Sequence, residues 1–139
     1  METPCDISPP PITFFSSFIF ITNAITAFWY EYYVYSLLFG MLTLTSLLYH
    51  SRKNVYTHLI DKVAILAVVL YGGYMVFHKQ MCHTNRCIVI TTFILSIVLF
   101  YYGYLTTTLC YHPDTSIGNK YHSLLHLISS IGHHCIIFL

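Results

Sequence analysis

The chain has 139 residues, 56% hydrophobic and 8% charged, with a formal net charge of +1 and a mean hydropathy of +0.65. A soluble domain carries roughly 25% charged residues, so these values exclude an ordinary soluble enzyme and point to an integral membrane protein. The near-neutral balance supplies no basic face to neutralise phosphates, which argues against nucleic acid as a partner.

A hydrocarbon core about 30 Å thick needs about 20 apolar residues at 1.5 Å rise each. Five runs of that order predict one all-α, multi-pass domain over residues 1–139, with spans near 12–29, 33–50, 60–77, 88–109 and 121–139. Pro4, Pro9, Pro10 and Pro11 hold the lead-in extended and place the first helix start at or after Pro11. Glu2 and Asp6 precede that run and no Lys or Arg does, so it lacks the positive n-region of a signal peptide and reads as a retained helix.

Trp29, Tyr30, Tyr32, Tyr33 and Tyr35 cluster around Glu31, as an interfacial aromatic belt flanking a tight turn would. That turn faces away from the N-terminus. The loop 51–58 returns to the N-terminal face, the loop 78–86 lies on the far face, and the loop 111–120 returns again. Arg52, Lys53, Lys62 and Lys120 then share the N-terminal face against Lys79 and Arg86 on the other, and the positive-inside rule places the N-terminus in the cytosol.

Gly72, Gly73 and Gly103 permit close helix approach or a kink. Tyr71, Tyr74, Tyr101, Tyr102 and Tyr104 would fill core or interface positions, or line a lipid cavity. There are five cysteines, without a zinc-finger spacing. Cys82 and Cys87 share the short segment 81–87, where they would bridge in an oxidising lumen or else remain free thiols; with His83 they lack a fourth metal ligand. No internal repeat or low-complexity tract is present.

Five polar residues stand at the ends of the apolar runs: Ser46, His50, Asp61, His122 and His126. An ionisable group within a bilayer costs several kcal/mol, so such residues are functional candidates by default. Ser46 and His50 are four apart and share a helix face, as do His122 and His126. Two imidazoles at that spacing converge on one ion. Chain direction supplies an independent expectation. His50 ends the second span, Asp61 opens the third and His122 and His126 open the fifth, so all four fall in one layer near the N-terminal face.

Three neutral imidazoles plus a water form an open catalytic zinc shell. Asp61 would take a proton and Ser46 would hydrogen-bond the water or a substrate carbonyl. Each residue has a simpler explanation on its own: a first-turn carboxylate favours the helix dipole, interfacial histidines need no metal, and a helical serine can bond the carbonyl one turn back. Their common layer in three helices favours a site. His133 shares the face of His122 and is a second-layer or lumen candidate. His134 lies on the lipid side, and His58, His78, His83 and His112 read as loop or interface residues.

At these residues the chain resembles the CREST superfamily of membrane hydrolases, which holds the alkaline ceramidases, the progestin and adiponectin receptors and the hemolysin-III proteins. The similarity lies in Ser46-Leu47-Leu48-Tyr49-His50, in Asp61 and in His122-Ser123-Leu124-Leu125-His126, and the tail through His133 looks closest to the hemolysin-III and receptor branch. The resemblance covers about half the chain. It implies zinc held by His50, His122 and His126, with Asp61 and Ser46 around the reacting water. Family members have seven helices against the five expected here. Losing one helical hairpin preserves the direction of the last helix while removing walls of the substrate cavity.

The expected function is zinc-dependent hydrolysis of a lipid amide or ester, ceramide-like in kind. The alternatives are a non-enzymatic, receptor-like lipid binder with structural zinc, and a metal-free channel or assembly subunit whose histidines line a polar path. The partner is a membrane lipid, and copies of the short scaffold would associate as a homo-oligomer if one copy does not complete the cavity.

Overall fold

The computed structural model describes residues 11–138 and is all-helical, with no strand among the described residues. The reading of residues 1–10 as a proline-stiffened lead-in, and the extension of the last span to residue 139, lie outside them.

Helix α1 (Ile12–Ser16) and helix α2 (Ile19–Trp29) together form the first apolar segment. A jog separates them where Ser16 and Ser17 both donate their hydroxyls to the Thr13 carbonyl, at 3.1 and 2.8 Å. Such back-bonding bends helices. α2 is followed by a turn at Glu31, whose φ of 64° is left-handed, and the Tyr32 N–H closes that turn on the Ala27 carbonyl at 2.8 Å. The chain then enters α3 (Tyr33–Ser51) directly.

Helix α4 (Val55–His78) starts five residues before the predicted 60. A reciprocal cap is the reason: Asn54 accepts from the Thr57 N–H at 2.9 Å while the Thr57 hydroxyl accepts from the Asn54 N–H at 3.2 Å. Helix α5 (His83–Ile97) likewise begins before the predicted 88, passes through a π-turn at Val98–Tyr102 and ends in α6 (Gly103–Thr106). After a single 3₁₀ turn, Leu109–Tyr111, helix α7 (Thr115–Phe138) starts six residues before the predicted 121. There Asp114 accepts from the Ser116 N–H at 2.8 Å.

Four segments are long and apolar enough to cross a membrane: Ile12–Trp29, Tyr33–Ser51, Val55–His78 and His83–Thr106. Their outward faces carry large apolar side chains such as Leu37, Leu44, Leu66, Phe77 and Leu105. This composition fits an integral membrane protein. The fifth predicted span, α7, is long enough but too polar to count with them.

Packing explains where that polarity is stored. α7 contacts α1, α2, α4 and α5, which cover its polar face, while Leu124, Leu127 and Ile131 stay exposed on its other side. Its first half meets the end of α3, where the His50 and His122 rings are 5.1 Å apart. Its last turn meets the ends of α2 and α4. Tyr30 and Phe138 pack edge to face, and the Lys79 ammonium donates to the carbonyls of Ile136 and Ile137 at 3.0 and 2.9 Å. A cation on those unpaired carbonyls stabilises the helix end. α7 therefore runs parallel to α2 and α4 and antiparallel to α3.

Candidate metal centre

His50 lies in the last turn of α3, and His122 and His126 lie on successive turns of α7. Antiparallel packing brings the three rings together, with one nitrogen from each mutually within 4.8 Å. Two zinc–nitrogen bonds of about 2.1 Å at a tetrahedral angle put nitrogens about 3.4 Å apart. Small side-chain movements would close the cluster on one ion.

The donor set carries a second mark of a metal site. His50 is buried, and neither of its ring nitrogens has a hydrogen-bond partner among the described residues. A buried polar atom left unpaired costs about 1–3 kcal/mol. An ion would satisfy it. His126 is held from the other side, where its Nδ1 pairs with the Ser16 hydroxyl at 2.8 Å, leaving Nε2 for the cluster. Such an outer hydrogen bond fixes the ring orientation that a metal ligand needs. Phe20 packs edge-on against His126 at 5.2 Å and shields that side.

Asp61 and Ser46 are both 2% exposed and line the same cavity as His122 and His126. Asp61 is not a member of the three-histidine group. Its carboxylate accepts from the Thr45 hydroxyl at 3.5 Å and faces the Lys62 ammonium at 3.7 Å. Because α4 begins at Val55, Asp61 stands in its second turn and not the first. His122, likewise, does not open the last helix but lies two turns inside it.

The cavity has a volume of about 680 Å³ and runs from the histidines toward the far face. α4 supplies an apolar wall including Ile65, Val68 and Val69, α5 supplies Val89 and Phe93, and α7 forms the floor. α4 and α5 make few contacts with each other, each packing on other helices, so the cavity is wedged between them. Of the five tyrosines considered for a lipid cavity, Tyr101 lines it, while Tyr71 packs on Tyr35 at 5.1 Å.

The other histidines separate into distinct environments. His133 bonds the Tyr35 hydroxyl and borders the cavity. His134 faces α2, where its Nδ1 meets the Asn23 amide at 2.8 Å. Asn23 also accepts from the Ser130 hydroxyl at 2.6 Å and donates to the Ser130 carbonyl at 3.0 Å. That fully paired network explains a histidine that a lipid-side placement did not. Cys82 and Cys87 are exposed free thiols, and because α5 starts at His83 the expected loop 81–87 is mostly helix. Near the cluster, the loop after α6 holds Cys110 and Tyr111. Burial pushes the Cys110 thiol up to about 11 and the Tyr111 phenol up to about 12.

Ser16, Thr45 and Lys62 gave no sequence signal as site residues. Hydroxyls in apolar helices commonly bond their own backbone, and Lys62 reads as one more interfacial cation. Compared with protein-family models, curated proteins and solved structures, the chain matches none.

Proposed function

We propose that the chain is a five-span membrane hydrolase that uses zinc at His50, His122 and His126 to cleave a lipid amide or ester of ceramide-like kind, as its resemblance to the CREST hydrolases implies. The observation that carries this is the convergence of three imidazoles, one with both nitrogens unpaired, at the end of an apolar cavity that also presents Asp61 and Ser46. α7 is the fifth crossing, about 36 Å long at 1.5 Å per residue, with its polar face turned inward.

A bound zinc would polarise the lipid carbonyl and lower the pKa of the attacking water toward about 7. The chain's own residues do the rest. The apolar walls of the cavity hold the acyl chain and keep bulk water out. Asp61 takes the proton from the water and returns it to the leaving group, while Lys62 and Thr45 hold its carboxylate in place. Ser46 donates a hydrogen bond to the lipid carbonyl. The gap between α4 and α5 gives a lipid a lateral way in from the bilayer.

One feature favours a receptor-like lipid binder with structural zinc. Lys62 already pairs with the Asp61 carboxylate. The test is elemental analysis of gently purified wild type beside a His122→Ala, His126→Ala double variant, followed by turnover of ceramides and glycerolipid esters. About one zinc per wild-type chain, lost in the variant, with hydrolysis, supports the enzyme. Zinc without turnover leaves the binder, and metal-free wild type removes both.

A further inference from the structure

His126 and His133 are seven residues apart on α7 and border the same cavity, about 10 Å from each other along the axis at 1.5 Å per residue. Between them Ser129 is already paired with Ser96 across to α5 at 3.1 Å. His133 is different. Its Nδ1 is engaged by the hydroxyl of Tyr35, a residue that is 0% exposed and wedged against Phe39 and Tyr71. Phe39 also covers one edge of the imidazole, with ring centroids 5.1 Å apart. Gly72, which lacks a side chain, lets the Tyr35–His133 pair approach α4. A Cβ there would meet the Tyr35 hydroxyl at 2.8 Å and His133 Cε1 at 3.1 Å.

The ring is thus clamped on one edge, and no hydrogen bond reaches its Nε2 among the described residues. His133 is half-buried and borders the cavity, whose lining also includes Val68, Val69, Gly73, Val89 and Thr92, the last with its hydroxyl already donated to the Val89 carbonyl. A structural role as an interhelical bond between α3 and α7 is complete with Nδ1 alone. It leaves Nε2 without a hydrogen-bond partner among the described residues, in a ring that borders a largely apolar cavity, and such a nitrogen favours a polar partner.

We infer that the Tyr35–His133 pair is a second polar subsite, which recognises a hydroxyl group carried part-way along the lipid chain, one helical stretch of about 10 Å beyond the metal centre. This rests on the proposal that the cavity holds a lipid. When Tyr35 donates to Nδ1, the imidazole proton sits on Nε2 and donates to the hydroxyl oxygen; in the other tautomer Nε2 accepts from the hydroxyl. A hydroxyl serves both states, whereas a plain methylene leaves the nitrogen unpaired. Gly72 and the clamp by Phe39 and Tyr71 fix the position, so the subsite reads where along the chain the oxygen lies.

The experiment measures binding of two probes to the full chain in detergent or nanodiscs: a stearoyl amide, and the same amide with a hydroxyl near mid-chain. One net hydrogen bond corresponds to a preference of about fivefold to tenfold for the hydroxylated probe. His133→Phe, which keeps an aromatic ring against Phe39, should abolish the preference without weakening the plain probe, and Tyr35→Phe should reduce it by freeing the imidazole. Equal wild-type binding of both probes overturns the subsite while leaving the lipid cavity standing. Binding of neither removes the cavity's lipid role and the subsite with it. The wild-type comparison decides the matter even where a variant fails to fold.

Discussion

Ser16 illustrates how a single hydroxyl can set the chemistry of a residue far away in sequence. It donates locally to the Thr13 carbonyl and also meets His126 Nδ1, which settles which imidazole nitrogen is turned toward the cluster. Ser16→Ala is therefore expected to leave the helices intact and weaken metal binding by about 10- to 100-fold, read by titration against a competing chelator. Ser16→Thr, which keeps the hydroxyl, should restore it. Unchanged affinity in the alanine variant would reduce the contact to packing. Asp61 offers a separate test. The helix-dipole effect fades beyond the first turn, so its placement in the second turn of α4 weakens the structural explanation of a buried carboxylate. Asp61→Asn should keep fold and metal and lower turnover per metal-loaded molecule by roughly a hundredfold or more; wild-type turnover would remove it from the mechanism. The three clustered histidines were legible because the i, i+4 spacings of Ser46 with His50 and of His122 with His126 are visible in sequence. Ser16 was not, because its partner lies 110 residues on and only the packing of α1 against α7 brings them together.

The helices themselves were legible as apolar runs but not in their starts. Hydropathy marks the stretch that suits hydrocarbon, whereas a helix begins where its first N–H groups find acceptors. Asn54, accepting from the Thr57 N–H, and Asp114, accepting from the Ser116 N–H, are those acceptors, and they lie outside the runs they initiate. α7 went further than its run for the same reason, and the face it turns to α1, α2, α4 and α5 carries its polar residues, while Leu124, Leu127 and Ile131 stay exposed on the other. Adjacent glycines in α4 make a sharp test of this packing. A Cβ on Gly73 meets nothing within 4 Å, whereas one on Gly72 runs into Tyr35 and His133. Gly73→Ala should be neutral or raise stability by about 0.5–1 kcal/mol through helix propensity. Gly72→Ala should lower it by about 1–3 kcal/mol from overpacking. Thermal unfolding in one detergent compares them, and equal melting of the two variants would mean that α3 and α7 do not press on α4 as described.

For the whole molecule, orientation in the bilayer decides which compartment the three-histidine cluster faces. His50 and the start of α7 share one face, while the ends of α2, α4 and α7 share the other with Cys82 and Cys87. Arg52, Lys53, Lys62 and Lys120 belong to the first, and their excess predicts a cytosolic metal layer. The cysteines allow this to be measured without adding reporters. Cys82 and Cys87 are exposed at the far end, whereas Cys110 lies in the loop near the three-histidine cluster with its thiol pushed up to about 11 by burial. The thiolate is the reacting form, so in detergent, where both faces are accessible, a membrane-impermeant maleimide at neutral pH should modify the exposed Cys82 and Cys87 and leave Cys110 nearly untouched, with Cys110 gaining reactivity as the pH rises toward 11. In a variant retaining Cys82 alone, labelling from the non-cytosolic side places the metal layer in the cytosol. Labelling of that variant only from the cytosol reverses the molecule, and the lipid chemistry would then be sought in the lumen or outside the cell.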